Sequence, residues 1–133
     1  MFADSHCHLH LIDYAKLGSD MDATVQRAWD NKVEHLLCVA TELTQTAELR
    51  AIADKYPQVR TSVGLHPNDD VDVEPSIDDL LLAQAHSSVV AIGETGLDYY
   101  HEGYDKQIQQ KFFVDHLQLA NAVDLPLVIH CRS

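Results

Sequence analysis

Five short runs dominated by Val, Ile, Leu and Ala, at about residues 1–6, 34–40, 60–65, 89–93 and 126–130, alternate with stretches of helical periodicity, and this leaves few folds open. Strands joined by helical crossovers pair in parallel, and continuous aliphatic character means that both sheet faces are covered. The intervening stretches carry matching apolar stripes. Asp22 is placed to cap a first helix that turns Val25, Ala28 and Trp29 toward the sheet, and Leu49, Ile52, Ala53 and Tyr56 mark a second at i, i+3, i+4 and i+7, ending before Pro57. Ser76 and Asp79 form a capping-box-like start for a third helix whose stripe is Ile77, Leu80 and Leu81. A fourth spans 105–123, with Ile108, Phe112, Leu119, Ala120 and Val123 on one face.

The order β-α-β-α-β-α-β-α-β fits the first part of a parallel α/β barrel of the TIM type, since a full barrel needs about 250 residues and eight βα units and this chain has 133. Residues 1–133 are therefore expected to be the amino-terminal portion of one barrel domain, a partial barrel of five strands and four helices with no linker or second domain. A doubly wound sheet is the alternative. The fifth strand, with Leu127 and Ile129, would leave an open edge that invites self-association.

Composition narrows the function. A net charge of −12 is the opposite of the basic footprint that grips nucleic acid by its phosphates, so a polyanionic substrate would need metal ions to neutralise it. The apolar runs are far shorter than the ~18 residues of a spanning helix, and the first residues lack the basic start and apolar core of a leader, which points to the cytoplasm and away from a membrane. Cys7, Cys38 and Cys131 are widely spaced with no CxxC, so neither a disulfide framework nor a thiolate zinc site is indicated. Ser5 and Ser133 lack a GxSxG elbow.

Nine histidines are the unusual feature. Alternation on the first strand sends Asp4, His6 and His8 to one face, and two neutral imidazoles there can hold a divalent ion. Cys7 faces away and reads as core filler. His66, Glu94 and His130 each follow an aliphatic run. In a parallel sheet all strand carboxyl ends share one edge, so His6, His8, His66, Glu94 and His130 converge on a single crevice. One histidine after a strand is ordinarily a satisfied loop residue; the repetition at successive strand ends is the signal. A carboxylate with several imidazoles suits zinc or a similar divalent ion. His35, His86, His101 and His116 lack matching partners and read as structural. The acidic segment 69–79 reads as a solvated loop leading into a helix N-terminus. Arg132 and Lys106 are the basic residues nearest the crevice.

The successive segments Asp4-Ser5-His6-Cys7-His8-Leu9, Gly64-Leu65-His66-Pro67, Ile92-Gly93-Glu94-Thr95-Gly96-Leu97-Asp98-Tyr99-Tyr100 and Val128-Ile129-His130-Cys131-Arg132 resemble the ordered signatures of the TatD family, from one end of the chain to the other. That resemblance implies a metal-dependent hydrolase of the amidohydrolase superfamily, a (β/α)8 barrel, and deoxyribonuclease activity on phosphodiesters. It implies that His6 and His8 hold one metal, Glu94 bridges two and acts in catalysis, His130 holds the second, and His66 lies near the substrate phosphate; Arg132 and Lys106 are the nearest basic candidates to bind that phosphate. The expected cofactors are one or two divalent ions, zinc, magnesium or manganese, and the expected substrate is DNA, single-stranded in preference, or a small phosphoester. The family pattern continues beyond Ser133 with a further histidine and an aspartate, so activity of residues 1–133 alone is expected to be low. The competing readings are a non-catalytic half-barrel stable only as an assembly, and an amidase or lactonase of the same superfamily.

Overall fold

The computed structural model describes residues 1–68 and 77–132. Strands β1 (Phe2–Cys7), β2 (Val33–Cys38), β3 (Val59–Val63), β4 (Val89–Asp98) and β5 (Leu127–Arg132) form one sheet in the order β1-β2-β3-β4-β5, every neighbouring pair parallel. A doubly wound sheet reverses its strand order at a switch point, whereas this order never reverses. The chain is a half-barrel of the TIM type. Helices α1 (Tyr14–Leu17), α2 (Met21–Asp30), α3 (Thr46–Lys55), α4 (Ile77–Gln84) and α5 (Lys106–Val123) lie in the crossovers. Both outer strands are open to solvent, Phe2 of β1 at 68% exposure and Ile129 of β5 at 56%.

The helices turn part of each apolar stripe inward. Val25 of α2 and Leu49 and Ile52 of α3 close one core with Leu36, Cys38 and Val59, while Leu80, Leu119 and Ala120 close a second with Val63, Val89 and Ile92. Each of the Val, Leu and Ile side chains among them contributes roughly 1.5–3 kcal/mol on leaving water.

Several expectations shift. The short helix α1, held by Asp13 accepting from Lys16 N at 3.0 Å, adds a fifth helix to the four expected. Asp20, not Asp22, caps α2 by accepting from Ala23 N at 2.7 Å; the Asp22 carboxylate goes instead to Lys55 Nζ at 2.7 Å and to the Tyr56 hydroxyl. Trp29 is exposed rather than packed on the sheet. On α5 Ile108 faces solvent, and the buried stripe runs through Gln109, Phe112, His116, Leu119 and Ala120. The expected Ser76 cap, and the acidic segment apart from Asp78 and Asp79, lie outside the described residues.

The largest shift concerns β4, which runs five residues past Gly93. The Gln109 side chain explains it: Oε1 accepts from Asp98 N at 2.8 Å and Nε2 donates to Asp98 O at 2.9 Å, satisfying the strand end as a neighbouring backbone would. Gly96 sits opposite β5 at φ +147°, and a Cβ there would fall 2.0 Å from the carbonyl oxygen of His130, so only glycine permits this approach.

Candidate metal centre

Strand β1 delivers His6, and the residue just past its end is His8. His8 Nδ1 lies 2.8 Å from the carbonyl oxygen of Val39. A carbonyl only accepts, so Nδ1 carries the proton and the neutral ring presents the Nε2 lone pair. His6 Nε2 lies 3.2 Å from that nitrogen and 3.2 Å from Glu94 Oε2, and His8 Nε2 is 3.7 Å from the same oxygen.

Glu94 lies within β4, one residue beyond the expected strand, and its side chain is 9% exposed. Its backbone N–H donates to Ala40 O at 2.8 Å, and the Ser62 hydroxyl binds both Ala40 N and Gly93 O, tying the strand to the loop after β2. The second carboxylate oxygen turns away from β1: Oε1 is 3.1 Å from Nδ1 of His130, which lies inside β5 rather than after it. The His66 and His130 rings meet with centroids 4.3 Å apart.

Among the described residues two groups of donors therefore form, His6–His8–Glu94 and His66–Glu94–His130, the ligand atoms of each lying within 4.8 Å of one another. The donor chemistry fits a divalent ion. Two ligand atoms at ~2.1 Å from a tetrahedral ion stand about 3.4 Å apart; the three spacings of the first group, 3.2, 3.2 and 3.7 Å, bracket that value. Burial, aided by the neighbouring His130, lowers the pKa of His66 and favours its neutral form.

Asp98 is the site residue that the sequence did not single out. Fully buried, its Oδ2 accepts from His130 Nε2 at 2.8 Å, Arg132 Nε at 2.9 Å and Nη2 at 2.7 Å, and Asn68 Nδ2 at 2.7 Å, while Oδ1 accepts from Tyr100 N at 3.1 Å. Burial works to raise its pKa, but the Arg132 guanidinium, His130 and the Tyr100 N–H outweigh it and hold the carboxyl well below the usual range. The available signal was spacing: residues 94, 96 and 98 share one face of a strand. Arg132, expected at the substrate, thus spends two donors on Asp98, and its guanidinium lies 4.8 Å over the Tyr100 ring. Lys106 lies 4.6 Å over the ring of Tyr99.

The histidines read as structural behave differently from the cluster. His116 is buried in α5, with Nδ1 2.7 Å from Phe112 O and Nε2 accepting from Leu65 N at 3.0 Å, so both nitrogens are spent. His86 pairs with Ser88 at 2.8 Å, and His35 is an exposed residue of β2.

A parallel half-barrel whose strands gather imidazoles around a shared carboxylate defines a metal-site protein of the TIM-barrel class. Residues 3–133 match the family described as TatD related DNase, and the chain belongs to that family. It is 39% identical over 133 residues to YcfH, an uncharacterized metal-dependent hydrolase of Escherichia coli K12, across 98% of this chain and 49% of the relative. Identity is 32% over 120 residues to the 3'-5' ssDNA/RNA exonuclease TatD of Salmonella typhimurium, covering 90% of this chain and 46% of that protein. The crystal structure of YjjV, a TatD homolog from Escherichia coli K12, superimposes with a TM-score of 0.84 at 31% identity, over 98% of this chain and 51% of its own. The chain spans about half the length of the curated relatives it matches. No helix among the described residues is long and apolar enough to cross a membrane.

Proposed function

We propose that the protein is a divalent-metal-dependent hydrolase that cleaves phosphodiester bonds of single-stranded nucleic acid. One observation carries the reading: the two oxygens of Glu94 serve different histidines, Oε2 lying near His6 and His8 and Oε1 near His130, so this one carboxylate would be available to both donor groups. His6, His8 and Glu94 would hold one ion, and Glu94 with His130, and with His66 in reach, a second. Bound there, such ions would acidify a water molecule and offset charge on a phosphate, which would let a chain with a net charge of −12 accept a polyanion.

The protein's own residues set up that chemistry. Val39 O fixes the His8 tautomer, and Asp98 accepts the Nε2 proton of His130, leaving Nδ1 turned to Glu94. His66, kept neutral by burial, borders a cavity of about 230 Å³ with Thr41, Glu42 and Asn68, beside the metal groups. Its position suits contact with a substrate phosphate or a place in the second metal shell. The similarity to a protein named as an ssDNA/RNA exonuclease supports the substrate class.

The test follows nucleotide release from a labelled single-stranded oligonucleotide by the full-length protein with magnesium, manganese or zinc, with EDTA controls and Glu94→Ala. Metal-dependent release that Glu94→Ala abolishes is the expected result. A protein inert on the oligonucleotide but active on amides or lactones overturns the substrate assignment.

A further inference from the structure

Tyr100 stands two residues past Asp98 and is 64% exposed, yet it is anything but a loose surface ring. Its backbone N–H is fixed to Asp98 Oδ1 at 3.1 Å, the Arg132 guanidinium lies 4.8 Å from its ring centroid, and the His101 ring meets it edge-on at 5.0 Å. Arg132 is itself tied to Asp98 Oδ2, the oxygen that also receives His130 Nε2. An exposed aromatic ring and the cation against it are thus anchored on the same buried carboxylate that orients a residue of the metal groups. Two residues of chain span at most about 7 Å, so the ring cannot stray far from that carboxylate.

We propose that Tyr100, backed by Arg132, is a stacking platform for a nucleobase of the single strand whose phosphodiester is cleaved. The inference rests on the nucleic-acid reading above and names where the strand is held. Charge argues for a base rather than a phosphate as the occupant. These 133 residues carry a net charge of −12, which disfavours a polyanion at long range, and Arg132 has already spent two donors on Asp98. Stacking needs no net charge. With Arg132 and His101 against it the ring is still 64% exposed, which leaves surface for a base, and a π-face is common to all bases, so the platform tolerates any sequence. It also requires a base with a free face, which a single strand offers and the interior of a duplex does not.

The experiment measures binding of the full-length, metal-loaded protein to a single-stranded oligonucleotide that carries 2-aminopurine and cleavage-resistant phosphorothioate linkages. Tyr100→Ala keeps the backbone N–H that reaches Asp98, so the anchoring bond survives in the variant; circular dichroism melting checks its folding. The base should be quenched on binding, and Tyr100→Ala should weaken binding by about 5- to 150-fold, the loss that one stacked base implies. Tyr100→Phe and Tyr100→Trp should retain it. The dependence of affinity on salt between about 50 and 200 mM should be shallow and unchanged by Tyr100→Ala. If the wild type binds this oligonucleotide and cleaves its unmodified counterpart but Tyr100→Ala binds equally well, the platform is wrong and the nuclease reading stands. A steep salt slope that Tyr100→Ala flattens would also overturn it, in favour of phosphate contacts. A wild-type protein that neither binds nor cleaves single strands removes the nuclease reading itself.

Discussion

Asp98 Oδ2 lies 2.8 Å from His130 Nε2, so the ring nitrogen facing away from Glu94 is the one that holds the proton. A buried carboxylate behind a ligand histidine fixes its tautomer and raises its basicity. In Asp98→Asn the amide has one acceptor oxygen where the carboxylate has two, so either Tyr100 N–H or the donors gathered on Oδ2 lose their partner, and Arg132 loses its counter-charge. We expect affinity of the His66–Glu94–His130 group for zinc or manganese to fall about 10- to 100-fold. Calorimetric titration of the metal-free protein checks this, and an unchanged isotherm would refute the positioning role.

Glu94 is the residue that both groups share. Glu94→Gln keeps the shape but replaces one anionic oxygen by an N–H donor aimed at histidine nitrogens. Metal stoichiometry by mass spectrometry of the native protein should fall at both groups, and cleavage should drop by ~10⁴-fold or more, as it does when one member of a cooperating set is removed. Full metal content in the variant would show that the bridge is not needed. In the wild type, saturating metal at 100-fold above its dissociation constant should add about 2.7 kcal/mol of stability that EDTA removes.

The parallel architecture and most of the converging edge could be read from the sequence because aliphatic runs report burial directly, and His6, His8, Glu94 and His130 terminate or punctuate those runs. What escaped reading was polar. Gln109 and His116 occupy the buried stripe of α5 in place of Ile108, because their side chains satisfy Asp98 and the Leu65 N–H, and a hydrophobic pattern cannot register a hydrogen bond to a distant strand. Asp98 escaped for the same reason. Its partners Asn68 and Arg132 are distant in the sequence, at |i−j| of 30 and 34, and only the fold brings them to it. The choice between Asp20 and Asp22 as the α2 cap likewise turned on Lys55 and Tyr56 from the next helix.

Gly96 makes a sharper test of the β4–β5 approach. At φ +147° a side chain is strained before any contact is counted, and its Cβ would press on His130 O at 2.0 Å. Backbone strain of roughly 1–3 kcal/mol and a similar overpacking penalty together predict about 2–6 kcal/mol of destabilisation for Gly96→Ala. Because the contact is with the backbone of His130, loss of metal affinity should accompany it. Urea unfolding measures the first effect and metal titration the second; a variant within 0.5 kcal/mol of wild type, the ordinary range for a surface change, would contradict the packing described.

His116 predicts the acid limb of stability. Burial lowers its pKa below the ordinary 6.5, against weaker opposing effects from Phe112 O and Asp115, and its two nitrogens are already committed to Phe112 O and Leu65 N. A depressed folded pKa means that the unfolded chain takes up the proton first. The stabilisation from neutral His116 is therefore fully present above about pH 6.5 and is lost progressively as pH falls from there through the folded value. Burial also lowers His66, which adds in the same direction, whereas His10 is raised above 6.5 by Cys38 and Gln45 despite its burial and works oppositely, so the variant comparison is what isolates His116. His116→Gln should cost about 1–3 kcal/mol at pH 7.5 through weakened buried hydrogen bonds. It should also flatten the dependence on pH between about 5 and 6.5 by up to ~1.4 kcal/mol per pH unit. Urea midpoints of both proteins across pH 5 to 8 decide it: parallel curves would mean that His116 does not titrate on unfolding in this range.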